Sequence, residues 1–293
     1  MNESIAILES MGFDQSLCLD ALNRFNGNLD RTIDFLLGGG GDTTNNNDSN
    51  AYHRQTTATR IIHSEISQYS DPKGRSACTS IALEMAGGVL DRLHRSSHSE
   101  ASAEECIDSS FLSESIHNGL DIYAELQRSN SSGVEHLSVE EFLQMSAPLQ
   151  KFQCLKLLPN SPRQGILSSS TDSPVGLESI LSQCQSDVST PSYVAVVITK
   201  PPETVLVVLP SLTSTATSTI EKNYALLDSH PRPNQLTPHN PSGSYAIFHS
   251  DLPSLVRSLK EIFPVVDLGS DVNEMMAMMY NSFDVYPFVY SSE

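Results

Sequence analysis

Cys78 lies where a helix is expected to begin. It follows a turn-rich stretch, residues 71–77, and from Ile81 onward apolar residues recur at intervals of one, three and four. That spacing predicts a helix with one buried face. A sulfur in the first turn of a helix is close to unpaired backbone N–H groups and to the positive end of the helix dipole, which favours the reactive thiolate. Cys78 is therefore our candidate nucleophile, although a free cysteine is often only a small buried apolar residue.

Asp228 and His230 could supply the base that a thiol nucleophile needs. A catalytic base requires an acceptor that orients it, and two residues spaced by two in a strand project from the same face. Taken alone, Asp-Ser-His before Pro231 is more typical of a solvated turn than of a catalytic pair. Together with the cysteine helix it indicates a catalytic pair. His249 fits the end of a strand better, and His239 lies in a proline-rich loop.

Composition narrows the classes of partner. The chain has 293 residues, with 35 Asp and Glu against 17 Lys and Arg. This acidic excess argues against nucleic acid and anionic membranes and suits a basic peptide or protein surface. The first residues do not form a basic region followed by an apolar one, and no run approaches the roughly 18 apolar residues that indicate a membrane span. We expect a soluble two-domain protein of the cytoplasm or nucleus.

The cysteines do not form a recognisable framework. There are five, an odd number, and they form no C-x-x-C pair and no zinc-type spacing with histidines. We therefore expect reduced thiols, no disulfide framework, no structural metal and no cofactor. The five are Cys18, Cys78, Cys106, Cys154 and Cys184.

The first forty residues predict a three-helix bundle. Residues 3–10, 15–25 and 28–37 each place apolar side chains on one helical face, and short turns with glycine separate them. After them, residues 39–57 are rich in Gly, Asn and Thr, which predicts a flexible linker. A chain of that length spans on the order of 25 Å.

The N-terminal bundle resembles a ubiquitin-associated (UBA) domain. The residues that carry the resemblance are Met11-Gly12-Phe13, Ala21-Leu22, Gly27-Asn28 and Leu36-Leu37. It implies that residues 1–38 bind ubiquitin through an apolar patch at the loop and at the end of the third helix. Phe13 and Leu36 also help to close a small core, but so small a domain cannot bury every apolar residue. The implied contacts are Met11, Gly12, Phe13, Leu36 and Leu37.

The remainder, residues 58–293, predicts an α+β domain with helices first and an antiparallel sheet afterwards. Residues 60–68 are expected to be an irregular approach to the cysteine helix. The methionines of residues 275–279 are expected to pack on the core, and residues 280–290 to form a last strand or a docking segment. Further helices are expected at residues 99–112, 113–128, 138–145, 176–184 and 252–262, and strands at residues 193–198, 204–209, 224–227 and 244–248, the first two as a hairpin.

Residues 62–263 resemble papain-like cysteine deubiquitinases of the herpesvirus tegument type and their cellular relatives. The shared features are a cysteine at a helix start, a helical part, and a late strand that ends in Asp-x-His before a short strand and a helix. The resemblance implies that Cys78 is the nucleophile, that His230 is the general base and then acid, and that Asp228 holds the ring tautomer. An upstream glutamine donates to the oxyanion in that family; Gln68 is our first choice here and Gln55 the second.

The sequence thus leads to one hypothesis and two alternatives. The hypothesis is a deubiquitinase that hydrolyses the isopeptide bond at the ubiquitin C terminus through an acyl-enzyme on Cys78. Its partners would be ubiquitin or polyubiquitin chains, without nucleic acid or membrane. The alternatives are a ubiquitin receptor without catalysis, and a thiol protease for another ubiquitin-like modifier.

Overall fold

The computed structural model describes most of the chain after residue 57. The predicted linker, residues 39–57, lies outside the described residues, as do the predicted ubiquitin contacts Met11, Gly12, Phe13, Leu36 and Leu37. The chain divides into two compact units, Met1–Arg54 with Pro264–Tyr280, and Gln55–Phe263 with Asn281–Glu293. The described ranges are 58–96, 102–129, 137–144, 152–170, 173–188, 193–212, 223–232, 241–269 and 272–291, with the single positions Ile5, Leu19, Leu22 and Thr32.

An eight-stranded antiparallel sheet runs through the larger unit, in the order β1-β7-β6-β5-β4-β8-β2, with β3 also paired to β8. The predicted α+β class is confirmed. The strands are β1 (Ala58–His63), β2 (Leu155–Leu157), β3 (Arg163–Ile166), β4 (Tyr193–Lys200), β5 (Glu203–Pro210), β6 (Tyr224–Asp228), β7 (Tyr245–His249) and β8 (Ser282–Tyr290).

Helices pack on both faces of this sheet. Alternate residues of β4 explain how: Ala195 and Val197 belong to the core under the long helices, whereas Val194 and Val196 belong to the core on the opposite face. A strand buried on both faces has no polar alternation, which is why its sequence is a continuous apolar run. The helices of this unit are α1 (Cys78–Arg95), α2 (Ala103–Cys106), α3 (Ser109–Ser129), α4 (Val139–Gln144), α5 (Leu177–Ser186) and α6 (Leu252–Ile262).

α1 is held by a close contact with α3. A Cβ atom added at Gly119 would lie 2.7 Å from the Cα atom of Ile81. Only glycine allows the two helices to approach so closely. The contact holds the first turn of α1, and with it Cys78, against the helical layer.

Two expectations about local structure are wrong. The helix expected at residues 99–112 is interrupted at Ile107 and Asp108, because the Asp108 carboxylate accepts the backbone N–H of Phe111 at 2.7 Å and begins α3 instead. The approach segment at residues 60–68 is partly a strand, since β1 pairs with β7. The predicted β4–β5 hairpin is confirmed, with Lys200 opposite Glu203, and so is a last strand, β8.

The smaller unit contains helix α7 (Glu274–Tyr280). Its four methionines are exposed, Met275 by 72% and Met279 by 68%, so the expectation that they pack on the core is wrong. Among the described positions nearer the N terminus, Ile5 and Leu22 are helical and buried. No helix within the described parts of the chain is long and apolar enough to cross a membrane.

Candidate active site

Cys78 is the first residue of α1, and its side chain is buried. Ala77, which precedes it, makes no side-chain capping bond, so a capping side chain does not occupy the N–H groups of the first turn. Sγ of Cys78 lies 3.7 Å from the carbonyl oxygen of Pro202 in the β4–β5 turn. Cys78 is also one of the groups that raise the pKa of the His230 ring. The candidate nucleophile therefore lies close enough to the candidate base to act on it.

Asp228 and His230 lie side by side at the end of β6. Oδ1 of Asp228 is 2.5 Å from Nδ1 of His230 and accepts the backbone N–H of the same residue at 2.9 Å. Asp228 is the last residue of the strand, and His230 lies in the bend that follows. The two side chains thus meet through a local turn, not through the same-face strand spacing that the sequence suggested.

Burial and charge act in opposite directions on this pair. Burial alone would raise the pKa of Asp228, but the Arg232 guanidinium and the His230 ring hold the pKa well below its usual value. Burial alone would lower the pKa of His230, but the Asp228 carboxylate, helped by Cys78 and Glu203, raises it above its usual value. These opposite shifts favour an imidazolium beside a carboxylate.

Gln68 is fixed between the cysteine and histidine sides of the site. Its side chain is buried, Nε2 donates to the carbonyl oxygen of Arg75 at 3.3 Å, and Oε1 accepts the hydroxyl of Ser229 at 2.8 Å. Because a carbonyl oxygen can only accept, these partners define which end of the amide carries the nitrogen. A Cβ atom at Gly74 would lie 2.2 Å from the carbonyl oxygen of Gln68, so only a glycine fits at position 74 against the backbone of Gln68.

Three residues of this cluster were not found from the sequence. The Arg232 side chain bonds to Asp228 and to Glu203, and the Tyr245 hydroxyl donates to Asp228 at 3.1 Å. Arg232 has a visible signal, since it is a cation two positions after His230 in the same short turn. Glu203 and Tyr245 have none, because only the pairing of β6 with β5 and β7 brings Glu203 to Arg232 and Tyr245 to Asp228.

The other candidates lie elsewhere or outside the described residues. His249 is the buried last residue of β7, where the sequence suggested an end-of-strand residue. Gln55 and His239 fall outside the described ranges. Within those ranges, no group of three His, Cys, Asp or Glu side chains could hold a metal ion.

Comparison with known families identifies the N-terminal segment. Residues 2–36 match the UBA/TS-N domain family. The chain carries an N-terminal UBA domain. A UBA domain is a ubiquitin-binding module, so ubiquitin is a partner of this protein, as the sequence motifs implied. No curated protein matches the chain.

Among solved structures, the chain is similar to the ubiquitin-specific protease encoded by the murine cytomegalovirus tegument protein M48, solved in complex with a ubiquitin-based suicide substrate. The TM-score is 0.49 and the sequence identity is 12%. The similarity covers 80% of this chain and 88% of the viral one.

Proposed function

We propose that the protein is a cysteine-type ubiquitinyl hydrolase that cleaves the bond at the ubiquitin C terminus. The observation that carries the proposal is the grouping of Cys78, His230 and Asp228 inside the larger unit. His230 bonds to Asp228, Cys78 raises the pKa of the same ring, and Sγ of Cys78 lies against the carbonyl oxygen of Pro202. A thiol at a helix start, an imidazole against it and a carboxylate behind the imidazole are the groups required for acyl transfer through a thioester.

Each residue has a step in this reaction. The Cys78 thiolate attacks the carbonyl carbon of the scissile bond, and the tetrahedral oxyanion that forms accepts a hydrogen bond from Gln68 Nε2. His230, as imidazolium, gives its proton to the leaving amine, which leaves an acyl-enzyme on sulfur. The ring then takes a proton from water, the resulting hydroxide attacks the thioester, and the Cys78 thiolate leaves. Asp228 holds the ring by Nδ1 throughout.

The UBA domain supports ubiquitin as the substrate. A module that binds ubiquitin on the same chain raises the local concentration of ubiquitin around the hydrolase domain. The nucleophile must be reduced to act, so we also propose that the protein works in a reducing compartment, the cytoplasm or the nucleus.

A covalent capture experiment tests the proposal. The full chain is incubated with ubiquitin whose C terminus carries an electrophile, and the adduct is measured by mass spectrometry. We expect one adduct in the wild type and none in Cys78→Ala. Cys154→Ala, which removes a half-buried thiol with a pKa raised by burial, is the matched control and should react like the wild type.

The other outcomes separate the alternatives. Ubiquitin binding without any adduct would support a receptor without catalysis. An adduct with another ubiquitin-like modifier but none with ubiquitin would support a thiol protease and would reject ubiquitin as its substrate. An adduct that persists in Cys78→Ala would reject Cys78 as the nucleophile.

A further inference from the structure

Arg232 lies buried between two carboxylates, with a side chain that is only 5% exposed. Nε donates to Oδ2 of Asp228 at 2.8 Å, while Nη1 and Nη2 donate to the two oxygens of Glu203 at 3.1 and 2.7 Å. The two terminal nitrogens of the guanidinium thus form a bidentate pair, or fork, with the Glu203 carboxylate, and Nε donates to Asp228. An ammonium group could not reproduce this geometry.

The contact with Arg232 completes the hydrogen bonding of the Asp228 carboxylate. Oδ1 faces the ring and the backbone N–H of His230, and Oδ2 accepts from Arg232 and from the Tyr245 hydroxyl. With donors on both oxygens the carboxylate cannot rotate without losing bonds in a buried place. Tyr245 stands opposite Asp228 in the β6–β7 pairing. The carboxylate is therefore held by a hydrogen bond from the neighbouring strand, through Tyr245, and by one from the turn after β6, through Arg232.

Glu203 connects the same cluster to the nucleophile. It is the first residue of β5 and directly follows Pro202, whose carbonyl oxygen contacts Sγ of Cys78. The fork between Arg232 and Glu203 therefore holds the turn that lies against the thiol. One arginine side chain reaches both the carboxylate behind the base and the turn beside the nucleophile.

The charges of the cluster balance in only one protonation state. Asp228 and Glu203 are each negative, and an arginine remains positive in proteins. The total is zero when His230 is an imidazolium and minus one when it is neutral. Arg232 is thus the fixed charge that keeps Asp228 ionised without depending on the state of the ring.

We propose that Arg232 is a positioning residue of the hydrolase: it holds the Asp228 carboxylate in the orientation that serves His230 and, through Glu203, ties the turn beside Cys78 to the same cluster. The inference rests on the proposed hydrolase function. Arg232 touches no reacting atom, so its effect must pass through Asp228 and the turn.

Two substitutions separate the charge of Arg232 from its shape. Arg232→Gln removes both, and we expect kcat to fall by about 10²-fold with a smaller change in KM, the size of effect that a displaced catalytic group produces. The acid limb of kcat/KM should also move to higher pH, because Asp228 without its cation takes up a proton more easily. Arg232→Lys keeps the charge but not the fork. It should leave the acid limb near that of the wild type and still lower kcat.

Arg163→Gln is the matched control. Arg163 is also a largely buried arginine in an ion pair, here with the exposed Asp187, but it lies on β3. Its loss should leave kcat and the acid limb unchanged, since a merely structural arginine alters stability without altering a pH profile. Circular dichroism on every variant reports the fold.

The iodoacetamide reactivity of Cys78 as a function of pH, read on the Cys78 peptide by mass spectrometry, makes the test independent of ubiquitin. If the wild type does not hydrolyse ubiquitin, the proposed function fails, but a reactivity profile shifted to higher pH in Arg232→Gln still supports the positioning role. If the wild type is active and Arg232→Gln matches it in kcat and in both profiles, the inference is overturned and the function stands. Should Arg232→Gln not fold, Arg232→Lys and Glu203→Gln decide: wild-type kcat in both overturns the inference, and a fall in both supports it.

Discussion

The hydroxyl of Ser229 donates to Oε1 of Gln68 at 2.8 Å, and the backbone N–H of Gln68 donates to the carbonyl oxygen of Ser229 at 3.1 Å. The two residues are 161 positions apart in the chain. Ser229 is the residue between Asp228 and His230, so the same short turn that carries the base also orients the amide before Cys78. The candidate oxyanion donor and the candidate base therefore cannot move independently.

Gln68→Ala tests the amide as an oxyanion donor. We expect kcat on a ubiquitin C-terminal fluorogenic amide to fall by about 10² to 10³-fold, as is typical when one such donor is removed, with little change in KM. Ser229→Ala leaves the amide in place but removes the group that orients it, so the fall should be smaller and in the same parameter.

The control for Ser229→Ala is Ser211→Ala, which also removes a buried hydroxyl, one that donates to the carbonyl oxygen of Val188 at 3.1 Å. It should retain the kcat of the wild type. Equal losses in the two serine variants would mean that a general loss of stability is being measured. Wild-type turnover in Gln68→Ala would place the oxyanion donor elsewhere.

Asp228→Asn tests the orientation of the ring. An asparagine has one accepting oxygen, so it cannot accept hydrogen bonds from both His230 and Arg232 as the two oxygens of Asp228 do. Its amide hydrogens would point at a hydrogen-bond donor. We expect kcat to fall by about 10² to 10⁴-fold, as in triads that lose their carboxylate. His230→Ala should cost more, since it removes the proton carrier. Asp187→Asn, the exposed partner of Arg163, should leave turnover unchanged.

The same pair can be tested by alkylation. Because a neighbouring cation favours the thiolate, we expect Cys78 beside His230 to react with iodoacetamide faster at neutral pH than the other thiols of the chain. His230→Ala should move this reactivity to higher pH. An unchanged profile in His230→Ala, together with full activity in Asp228→Asn, would mean that the base is His249 or His239 instead.

The helices and strands that could be predicted from the sequence are those with a periodic or continuous pattern of apolar residues. The apolar stripe after Cys78 predicted α1, and the long apolar runs predicted β4 and β5, because a periodic or continuous pattern needs no knowledge of distant partners. The short strands β2 and β3 were missed. They are defined by pairing with β8 at the far end of the chain, not by their own composition.

The candidate site divides in the same way. Local motifs were enough to propose Cys78, Asp228 and His230. A helix start and two polar residues spaced by two can be recognised in the sequence without knowledge of the fold. Glu203 and Tyr245 could not be proposed in this way. Each becomes a neighbour of Cys78, Asp228 and His230 only through the pairing of β6 with β5 and β7, which depends on long-range packing.

A substitution in the UBA domain should separate capture of ubiquitin from catalysis. Phe13→Ala or Leu36→Ala removes part of the apolar patch that the family resemblance implies, so binding of polyubiquitin chains should weaken. Turnover of a minimal fluorogenic substrate should stay near that of the wild type. Leu19→Ala, a half-exposed helical residue outside the implied contacts, is the control for chain binding. If minimal-substrate turnover fell as far as in Cys78→Ala, a separate binding module would be ruled out.

His249 makes stability depend on pH in a direction that can be worked out. It is buried at the end of β7, and within the described structure neither ring nitrogen has a hydrogen-bond partner. Burial lowers its pKa to about 4; Asp251 opposes this shift weakly, and Arg257 adds to it. Between pH 6.5 and 4 the unfolded chain therefore binds a proton that the folded chain does not, so this residue reduces stability as the pH falls through that window.

His249→Leu should remove this dependence. Between pH 7 and pH 5 the histidine costs the wild type about 2 kcal/mol of unfolding free energy, from the linkage between its folded and unfolded pKa values. The leucine variant should therefore lose less stability over that interval than the wild type, as measured by urea unfolding at both pH values. His117→Gln, at an exposed position of α3, controls for the loss of a histidine. Parallel losses in the wild type and in His249→Leu would mean that the ring titrates alike in the folded and unfolded chain, which would contradict the effect assigned to burial.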